Sequence, residues 1–369
     1  MAEKTISRSS YLNRNEGSYD AAVSICGTEY TKVDDLRYGT NPHQTAALYK
    51  PAGQKCPIGD MEVLKNGKSG LSQTNLEDIS YALNIVKYFD GPTCAVMKHV
   101  NPSGAATAKS PLEAYIQARD ADPRAAFGST IAFNTTLDKA TAEEIMTTFV
   151  ECIVAPEVDE DALAVFTNPE AKMNKSIRIL RCGDLKDLPR FTGEEQAAHY
   201  TIKTLHDGSI VTAAPLTTSL RGTEDLKLAT GENKACGAQV STIEVSEQVK
   251  KDLLAAWYIN LNVRSNGVVL VKNGTTVSVG TGEQDRVGAI EQAIAKFKLK
   301  YEGSEDIQGS VMSSDGFFPF SDGVETAAAA GVIAVISPAG SLKDADVIKR
   351  ANELGVALFH APERIFSHH

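Results

Sequence analysis

Residues 93–133, TCAVMKHVNPSGAATAKSPLEAYIQARDADPRAAFGSTIAF, decide the fold class. They open with a short apolar run, TCAVM at 93–97, which is typical of a buried strand. The segment SPLE at 110–113 then marks a helix start, because it combines a capping serine, a first-turn proline and an N3 glutamate. A second apolar run, STIAF, follows at 129–133. The stretch therefore predicts strand, helix and strand in succession, which indicates a layered α/β protein.

The same alternation continues towards the C-terminus. Valine-rich runs at 268–271 and 277–279 flank Asn273-Gly274, the strongest short hairpin signal. The two halves of the chain share this rhythm without a residue-level repeat, so a duplicated unit is a hypothesis from the rhythm alone. Helices are predicted at 137–150, 246–262, 286–298, 323–330 and 344–354, and strands at 153–156, 176–180, 310–312, 331–336 and 356–359. The predicted organisation is an arm at 1–35, a first unit at 36–190, a connecting segment at 191–245 and a second unit at 246–369.

Composition excludes several classes of protein. The 369 residues carry 37 basic and 47 acidic side chains, a net charge of −10, whereas nucleic-acid polymers and anionic membranes require a broad basic face. The six cysteines form no CxxC pair, which argues against a disulfide framework and favours a reducing cytoplasm. The polar N-terminus is unlike a signal peptide, and no apolar run reaches the roughly twenty residues of a membrane span.

Familiar cofactor and metal motifs are missing from the sequence. Gly67-Lys68-Ser69 lacks the earlier glycine of a P-loop, since Glu62 stands at that position. Gly280-Thr281-Gly282 lacks the third glycine of a dinucleotide site. No HExxH, no zinc-deaminase signature and no GxSxG occurs, so we predict no metal site.

Two polar stretches lie where strands and loops meet. Arg37, Tyr38 and His43 share a loop broken by Gly and Pro, which is either a capped turn or a clamp for phosphate or carboxylate. Lys98-His99 follows the 93–97 strand, and the carboxyl ends of strands in open α/β sheets are where ligands bind. Histidine moves protons near neutral pH, although a solvated lysine beside a capping histidine is the alternative.

Three further stretches have both a structural and a functional interpretation. Asn266, in the stretch RSN at 264–266, is either a turn residue or a paired donor and acceptor for a ligand. The aromatic stretch SSDGFFPF at 313–320 is either a core plug or the wall of a pocket for a flat heterocycle. The turn PAGS at 338–341 precedes a predicted helix, whose N-terminus favours anions.

Taken jointly, these motifs resemble the formyltransferase half of the bifunctional purine-biosynthesis enzymes, which acts on 5-aminoimidazole-4-carboxamide ribonucleotide (AICAR). Each motif alone is weak, but nine in family order over about 90% of the chain are specific. They are RYGTNPHQ (37–44), VLKNG (63–67), KHVNPSGAA (98–106), AAFGS (125–129), IVAP (153–156), RSN (264–266), SSDGFFPFSDGVE (313–325), AGVIAVISPAGS (330–341) and ERIF (363–366).

The resemblance implies a fold of two tandem cytidine-deaminase-like α/β/α units and a homodimer whose active sites lie at the subunit interface. It implies transfer of a formyl group from 10-formyltetrahydrofolate to the 5-amine of AICAR. Bifunctional members carry an IMP cyclohydrolase domain before the RYG motif, whereas thirty-six residues precede Arg37 here. We therefore expect a stand-alone transformylase and a separate cyclohydrolase.

The resemblance also assigns roles to individual residues. It implies that His99 is the base for the amine, that Lys98 stabilises the oxyanion and protonates the leaving nitrogen, and that Asn266 faces the formyl oxygen. It further implies that substrate-binding residues are Arg37, Tyr38 and His43 for the ribonucleotide, Arg364 for its phosphate, Asn66, Phe127, Gly128 and Glu151 for the heterocycle and amine, and Arg286, Phe317 and Pro319 for the folate.

Departures from the family pattern leave alternatives open. Glu283 and Asp285 stand in the turn before Arg286, where the family often has neutral polar residues. Carboxylates near an anionic folate tail would repel it, which motivates a different formyl donor or acceptor. A non-catalytic nucleotide-binding relative is a further alternative. The family's C-terminus helps bind a monovalent cation, and that ion is an open alternative here.

Overall fold

The computed structural model describes residues 17–67, 69–171, 173–300 and 306–368, which form an α/β protein around one large mixed sheet. The elements of the first half are β1 (Ala22–Ile25), β2 (Thr28–Asp35), β3 (Ala47–Pro51), β4 (Glu62–Lys65), α1 (Gln73–Val86), β5 (Thr93–Lys98), β6 (Asn101–Thr107), α2 (Pro111–Asp120), α3 (Pro123–Ala126), β7 (Ser129–Phe133), α4 (Lys139–Ile145), β8 (Val150–Ala155), α5 (Glu160–Thr167) and β9 (Arg178–Arg181).

The remaining elements follow the same alternation after a region of short strands. They are β10 (Thr201–Thr204), β11 (Ile210–Ala213), β12 (Lys227–Leu228), β13 (Thr230–Asn233), β14 (Gly237–Val240), α6 (Glu247–Asn260), β15 (Val268–Lys272), β16 (Thr275–Gly280), α7 (Arg286–Lys300), β17 (Val311–Ser314), α8 (Asp322–Ala329), β18 (Ala334–Pro338), α9 (Asp344–Leu354) and β19 (Ala357–Ala361).

The large sheet repeats one strand arrangement twice. Its order is β12-β19-β18-β17-β15-β16-β6-β5-β7-β8-β9-β4. Outward from the central β6–β16 pair, each half has a hairpin, an antiparallel neighbour, two parallel strands and an antiparallel outer strand. Because β6 and β16 are antiparallel, corresponding strands of the two halves point in opposite directions. The duplicated rhythm of the sequence therefore corresponds to a duplicated topology.

Side-chain alternation along the strands builds three layers. Ala95 and Met97 of β5 belong to a core cluster with residues of α1 and α6 on one face of the sheet. Cys94 and Val96 point to the other face, where α2, α4 and α5 pack. In the second half, α7, α8 and α9 cover that other face. Strands buried on both faces require the near-continuous apolar runs that the sequence contains.

Most predicted elements are confirmed, and one helix is shorter than predicted. The hairpin across Asn273-Gly274 forms as expected, with both residues at positive φ. The helix predicted at 137–150 ends at Ile145, and Val150 instead begins β8. Its backbone N–H donates to Asn174 Oδ1 at 3.0 Å, a contact distant in sequence that the helical spacing could not indicate.

The regions without clear periodicity contain short strands. β1 and β2 pair with β3 in a three-stranded sheet, so the predicted boundary at residue 36 crosses a sheet, while residues 1–16 of the predicted arm lie outside the described residues. Within the predicted connecting segment, β10–β11 and β13–β14 are hairpins and β12 extends the large sheet. No helix in the described parts of the chain has the length and apolar character needed to cross a membrane.

Candidate active site

Most of the predicted site residues gather where strands of the large sheet begin or end on one side. We call this row of strand ends the sheet edge. Lys98 ends β5 at this edge, and since β7 and β8 run opposite to β5, Gly128 and Glu151 lie at their amino ends there. In the second half, β16 ends and β15 begins at the same edge, which brings Asn266 to it. The expectation of strand carboxyl ends therefore holds for β5 but not for β7 and β8, because the antiparallel pairing reverses their direction.

Arg37 and Tyr38 lie beside the start of α1. The Arg37 backbone N–H donates to Leu71 O at 2.8 Å, and its guanidinium lies over the Tyr38 ring, 4.5 Å from the centroid. Arg37 Nη2 donates to Tyr38 Oη at 3.0 Å and to Asn75 Oδ1 at 3.5 Å. Asn75 Nδ2 in turn donates to Glu151 Oε2 at 3.4 Å. One amide therefore connects two predicted ribonucleotide-binding residues.

The Arg37 guanidinium is buried in a positively charged environment. Its residue is 6% exposed, and burial followed by the charge of Arg178 lowers the pKa of Arg37. The buried Nε has no hydrogen-bond partner among the described residues. A buried donor without an acceptor costs free energy unless a ligand provides one, so this position suits an anionic or carbonyl oxygen.

Lys98 is directed towards Gly128 at the start of β7. Its Nζ donates to Gly128 O at 2.6 Å, which uses one of its three N–H groups. Gly128 has φ +72°, and a Cβ there would lie 3.0 Å from Lys98 Nζ. Phe127 beside it is 64% exposed and contacts Phe149 with ring centroids 5.1 Å apart. Gly128 thus allows the lysine to approach the backbone next to an exposed aromatic ring.

His99 lies on the two-residue turn between β5 and β6. Lys98 pairs with Asn101, so His99 and Val100 form the turn, with φ of 53° and 60°. The Val100 N–H donates to Asp78 Oδ1 of α1 at 2.7 Å. Burial raises the pKa of Asp78 to about 6, against the opposing effects of that hydrogen bond and of the Lys98 charge. The imidazole itself is exposed at the sheet edge.

Asn266 is held by contacts at both ends of its side-chain amide. Arg286 Nη2 donates to Asn266 Oδ1 at 2.6 Å, and Asn266 Nδ2 donates to the Glu283 carbonyl at 2.9 Å. This network sets the amide orientation, with the carbonyl towards the guanidinium. The second N–H of Nδ2 can then face an acceptor outside the network.

Arg286 is in turn fixed by Asp315, which follows β17. The two form a buried ion pair, with Asp315 fully buried and Arg286 7% exposed. Asp315 Oδ2 also accepts from Ser265 Oγ at 2.6 Å and from the Gly267 N–H at 2.9 Å. The carboxylate therefore anchors the loop at 264–267, here called the Asn266 loop, on both sides of Asn266.

Asn101 connects the two halves at this edge. Its Oδ1 accepts from the Arg264 N–H at 3.0 Å and from Thr281 Oγ1 at 2.7 Å. Asn101 follows the His99–Val100 turn directly, whereas Arg264 belongs to the Asn266 loop. One side chain thus fixes the turn that carries Lys98 and His99 relative to Asn266.

The two carboxylates before Arg286 are engaged in local structure. Asp285 Oδ1 accepts from the Gly288 N–H at 2.7 Å in the first turn of α7, and Gln292 Nε2 donates to the Glu283 carboxylate. An aspartate that precedes a helix and accepts from its first-turn N–H groups caps the helix and is stabilised by the helix dipole. These contacts account for both acidic residues without a ligand.

Five predicted residues lie at the periphery of these clusters. His43 and Asn66 are exposed, the first on the turn at 39–44 and the second just after β4. Phe317 and Pro319, which follow β17, are also exposed. Arg364 lies over the Phe366 ring at 4.4 Å, and Arg286 lies over the same ring at 5.9 Å. Arg364 and Arg286 therefore contact the same aromatic ring.

Several residues that hold the site together were not predicted from the sequence, namely Asn75, Asp78, Asn101, Arg178 and Asp315. Most of them act across long sequence separations, which local spacing does not encode. Asn75 was the exception, because it stands three residues after Ser72 and completes a capping box with it. That local signal identifies a helix start, although not the contacts to Arg37 and Glu151.

One cavity lies beside this edge and a second lies away from it. A cavity of 680 Å³ borders Phe366, Ser367, Tyr81 and Asn84. Another of 840 Å³ lies between the residues after β3 and those around 186–199. Among the described residues, no group of three or more His, Cys, Asp or Glu side chains could hold a metal ion.

Comparison with known proteins relates the chain to one family. Residues 3–296 match the family model described as AICARFT/IMPCHase bienzyme. The chain is 38% identical over 361 residues to the bifunctional purine biosynthesis protein PurH of Acetivibrio thermocellus, and 37% identical over 358 residues to that of Ruminiclostridium cellulolyticum. Each of these alignments covers 97% of the chain and 63% of the relative. The PurH of Caldicellulosiruptor saccharolyticus is 35% identical over 91% of the chain and 59% of its own length. The chain thus spans about three fifths of the length of these relatives.

Proposed function

The chain belongs to the AICARFT/IMPCHase bienzyme family, and on that premise we propose that it transfers a formyl group from 10-formyltetrahydrofolate to the 5-amine of AICAR. The observation that carries the proposal is the sheet edge, where Asn101 connects the Lys98–His99 turn to the Asn266 loop. Formyl transfer to a weakly nucleophilic amine needs a base, an oxyanion donor and a proton for the leaving nitrogen. We assign these three roles to Lys98, His99 and Asn266 along this edge.

The cluster of Arg37, Tyr38, Asn75 and Glu151 in the first half of the chain suits an anionic ribonucleotide. Arg37 offers a buried guanidinium whose Nε has no hydrogen-bond partner in the described parts of the chain, and Arg178 adds to the positive potential. Tyr38 shares a hydrogen bond with Arg37, while Glu151 provides an acceptor for an amine or carboxamide. A guanidinium pair binds phosphate and carbonyl oxygens better than ammonium groups do, because it presents planar paired donors. We propose that AICAR binds here, with Asn66, Phe127 and Gly128 along its heterocycle.

His99 and Lys98 have complementary parts in the proposed reaction. The exposed His99 imidazole takes the proton from the 5-amine as it attacks the formyl carbon. Lys98 keeps two N–H groups beyond its bond to Gly128 O, and these stabilise the developing negative charge on the formyl oxygen. When the carbon–nitrogen bond to the donor breaks, Lys98 supplies the proton to the leaving nitrogen.

Asn266 is proposed as the second donor to the formyl oxygen. Its carbonyl accepts from Arg286 and one N–H donates to the Glu283 carbonyl, so the remaining N–H is the one proposed to meet the formyl oxygen. Arg286 Nε is buried without a partner among the described residues, which suits an oxygen or ring nitrogen of the folate. Phe317 and Pro319 would flank its pteridine, and Arg364 would meet the ribonucleotide phosphate.

Two architectural proposals accompany the function. The repeated strand order supports two cytidine-deaminase-like units in tandem.

A homodimer with sites at the subunit interface is supported by exposed apolar side chains on the β10–β11 hairpin, where Ile210 and Val211 are 52% and 50% exposed. Light scattering on the purified protein tests the dimer, and a monomer at micromolar concentration would contradict it.

Formyl transfer is tested directly by mixing the protein, AICAR and 10-formyltetrahydrofolate and following tetrahydrofolate formation. His99→Ala and Lys98→Met are each expected to lower kcat by roughly 10²–10⁴-fold, the usual contribution of a proton-transfer group. Lys139→Met is the matched control, because that lysine is 58% exposed at the opposite end of β7. Near-normal turnover by His99→Ala would exclude His99 as the base.

The alternatives have separate outcomes in the same assay. Tight ribonucleotide binding without turnover would favour a non-catalytic relative, and turnover only with another donor would favour a different formyltransferase. Glu283 and Asp285 make contacts within the protein, but both side chains stay beside Arg286, so the choice of donor is decided by the assay. A monovalent cation, a cytoplasmic location and a separate cyclohydrolase stay predictions.

A further inference from the structure

The turn that carries His99 has a backbone that its residues disfavour. His99 and Val100 occupy both central positions of a two-residue hairpin turn, with φ of 53° and 60°. This turn type usually contains Asn-Gly, because both positions need positive φ. A β-branched residue in that region is strongly disfavoured. The conformation therefore needs support from outside the turn.

Asp78 provides a contact that supports it. The carboxylate accepts from the Val100 N–H at 2.7 Å, and the residue is 6% exposed. Asp78 is the sixth residue of α1, whose start is fixed by the Ser72–Asn75 capping box. The charged groups that act on this carboxylate are Lys98 of β5, Glu151 of β8 and Glu77 of α1. The turn is thus tied to a rigid helix and not to solvent.

The second half of the chain contains the same arrangement with a relaxed turn. Asp252 is the sixth residue of α6, whose start is capped by Ser246 as Ser72 caps α1. It accepts from the N–H groups of Asn273 and Gly274, both at 2.8 Å. The same number of residues separates Asp78 from Lys98 as separates Asp252 from Lys272.

The two turns differ in sequence although an aspartate holds each of them. Where the turn lies away from the candidate site, it has the Asn-Gly sequence that its backbone prefers. Where it lies at the site, the less favourable His-Val sequence replaces it and the aspartate is kept. A strained backbone at a functional site persists only when surrounding contacts hold it.

We propose that Asp78 is a positioning residue that holds the His99–Val100 turn in its left-handed conformation and thereby directs His99 at the substrate. The inference rests on the proposed function for the role of His99. Asp78 acts through the Val100 N–H and needs no contact with substrate. A carboxyl or amide oxygen serves equally as the acceptor, so the requirement is for geometry and not for charge.

The test compares four variants with the wild type by kcat, KM, thermal midpoint and hydrogen exchange at the Val100 amide. Asp78→Ala is expected to lower kcat on the order of 10²-fold, with little change in KM, and to expose the amide to exchange. Asp78→Asn should stay within a few-fold of wild type. Asp252→Ala is the matched control, with a comparable loss of thermal stability and kcat within about twofold of wild type. Adding Val100→Gly to Asp78→Ala should restore at least about tenfold in kcat, because glycine adopts positive φ without support.

Three results would overturn the proposal. The first is Asp78→Ala with wild-type kcat, and the second is an equal fall in kcat for Asp78→Ala and Asp252→Ala. The third is unchanged protection of the Val100 amide in Asp78→Ala. If Asp78→Ala does not fold, the Asp78→Asn and Asp78→Ala/Val100→Gly variants decide by the same criteria. An inactive wild type would instead reject the proposed function, and amide exchange alone would then decide whether Asp78 holds the turn.

Discussion

Replacing Asp315 with alanine is expected to destabilise the protein by about 3–5 kcal/mol, the usual effect of breaking a buried ion pair. Asp315 is fully buried, and its partner Arg286 is 7% exposed. The substitution therefore leaves a guanidinium out of water without its counter-charge. It also removes the acceptor for Ser265 Oγ at 2.6 Å and for the Gly267 N–H at 2.9 Å. We accordingly expect the upper part of that range.

A double substitution separates the stability of the pair from its part in the site. Arg286→Met/Asp315→Leu removes both charges, and replacing a buried pair with apolar side chains is often neutral or stabilising. Its unfolding free energy should recover part of the loss seen in Asp315→Ala, although Ser265 Oγ and the Gly267 N–H still lack their acceptor. Turnover should stay low by roughly 10²–10³-fold, because Asn266 Oδ1 loses the Arg286 donor that orients the amide. Stability and activity should thus recover separately.

Urea unfolding and steady-state formyl transfer on the same preparations provide the measurement. Glu325→Ala is the control, since its ion pair with Arg350 joins side chains that are 42% and 41% exposed and should contribute less than about 1 kcal/mol. Two results would refute the reasoning. One is Asp315→Ala no less stable than Glu325→Ala, and the other is a double variant as unstable as the single one.

Three further predictions concern single residues at the same edge. Burial raises the pKa of Asp78 from 3.8 to about 6, so the folded state binds the proton more tightly than the unfolded state. The free energy of unfolding therefore falls as the pH rises between these values. Between pH 3.5 and 7.5 the wild type should lose about 3 kcal/mol relative to Asp78→Asn, as measured by urea unfolding. Asn101→Ala should lower both stability, by about 1–2 kcal/mol, and kcat, whereas Asn101→Asp keeps the acceptor for Thr281 and should preserve more of both. Gly128→Ala should lower kcat on the order of tenfold, because alanine is strained at φ +72° and its Cβ would lie 3.0 Å from Lys98 Nζ. Unchanged turnover would show that neither effect displaces this lysine.

Local patterns were enough to predict most of the secondary structure. The capped starts of α2 and α6 and the Asn273-Gly274 hairpin depend on residues within a few positions of one another. The end of α4 depends instead on Asn174, far along the chain, and was predicted too late. Periodicity indicates which residues are helical in isolation, whereas a distant side chain can end the helix earlier.

The candidate residues of the site were named from the sequence and their roles stay predictions, whereas the groups that hold them in place were not named. Lys98, His99 and Asn266 were identified by their motifs. Asp78 and Asp315 were not, because an aspartate within a helix or after a strand has no local signal for a buried anchoring role. No helix was predicted at 73–86, so the recurrence of an aspartate at the sixth position of both α1 and α6 emerges only from the structure.

The sequence by itself determined the α/β class, the family and the residues that could carry chemistry, since these follow from hydrophobic period, turn residues and ordered motifs. Only the tertiary structure decided that the two halves meet at the antiparallel β6–β16 pair, which reverses one half relative to the other. It also decided that Lys98, Glu151 and Asn266 share one sheet edge. The physical reason is that strand pairing and buried hydrogen bonds join residues distant in the chain, and their geometry depends on packing that no local pattern encodes.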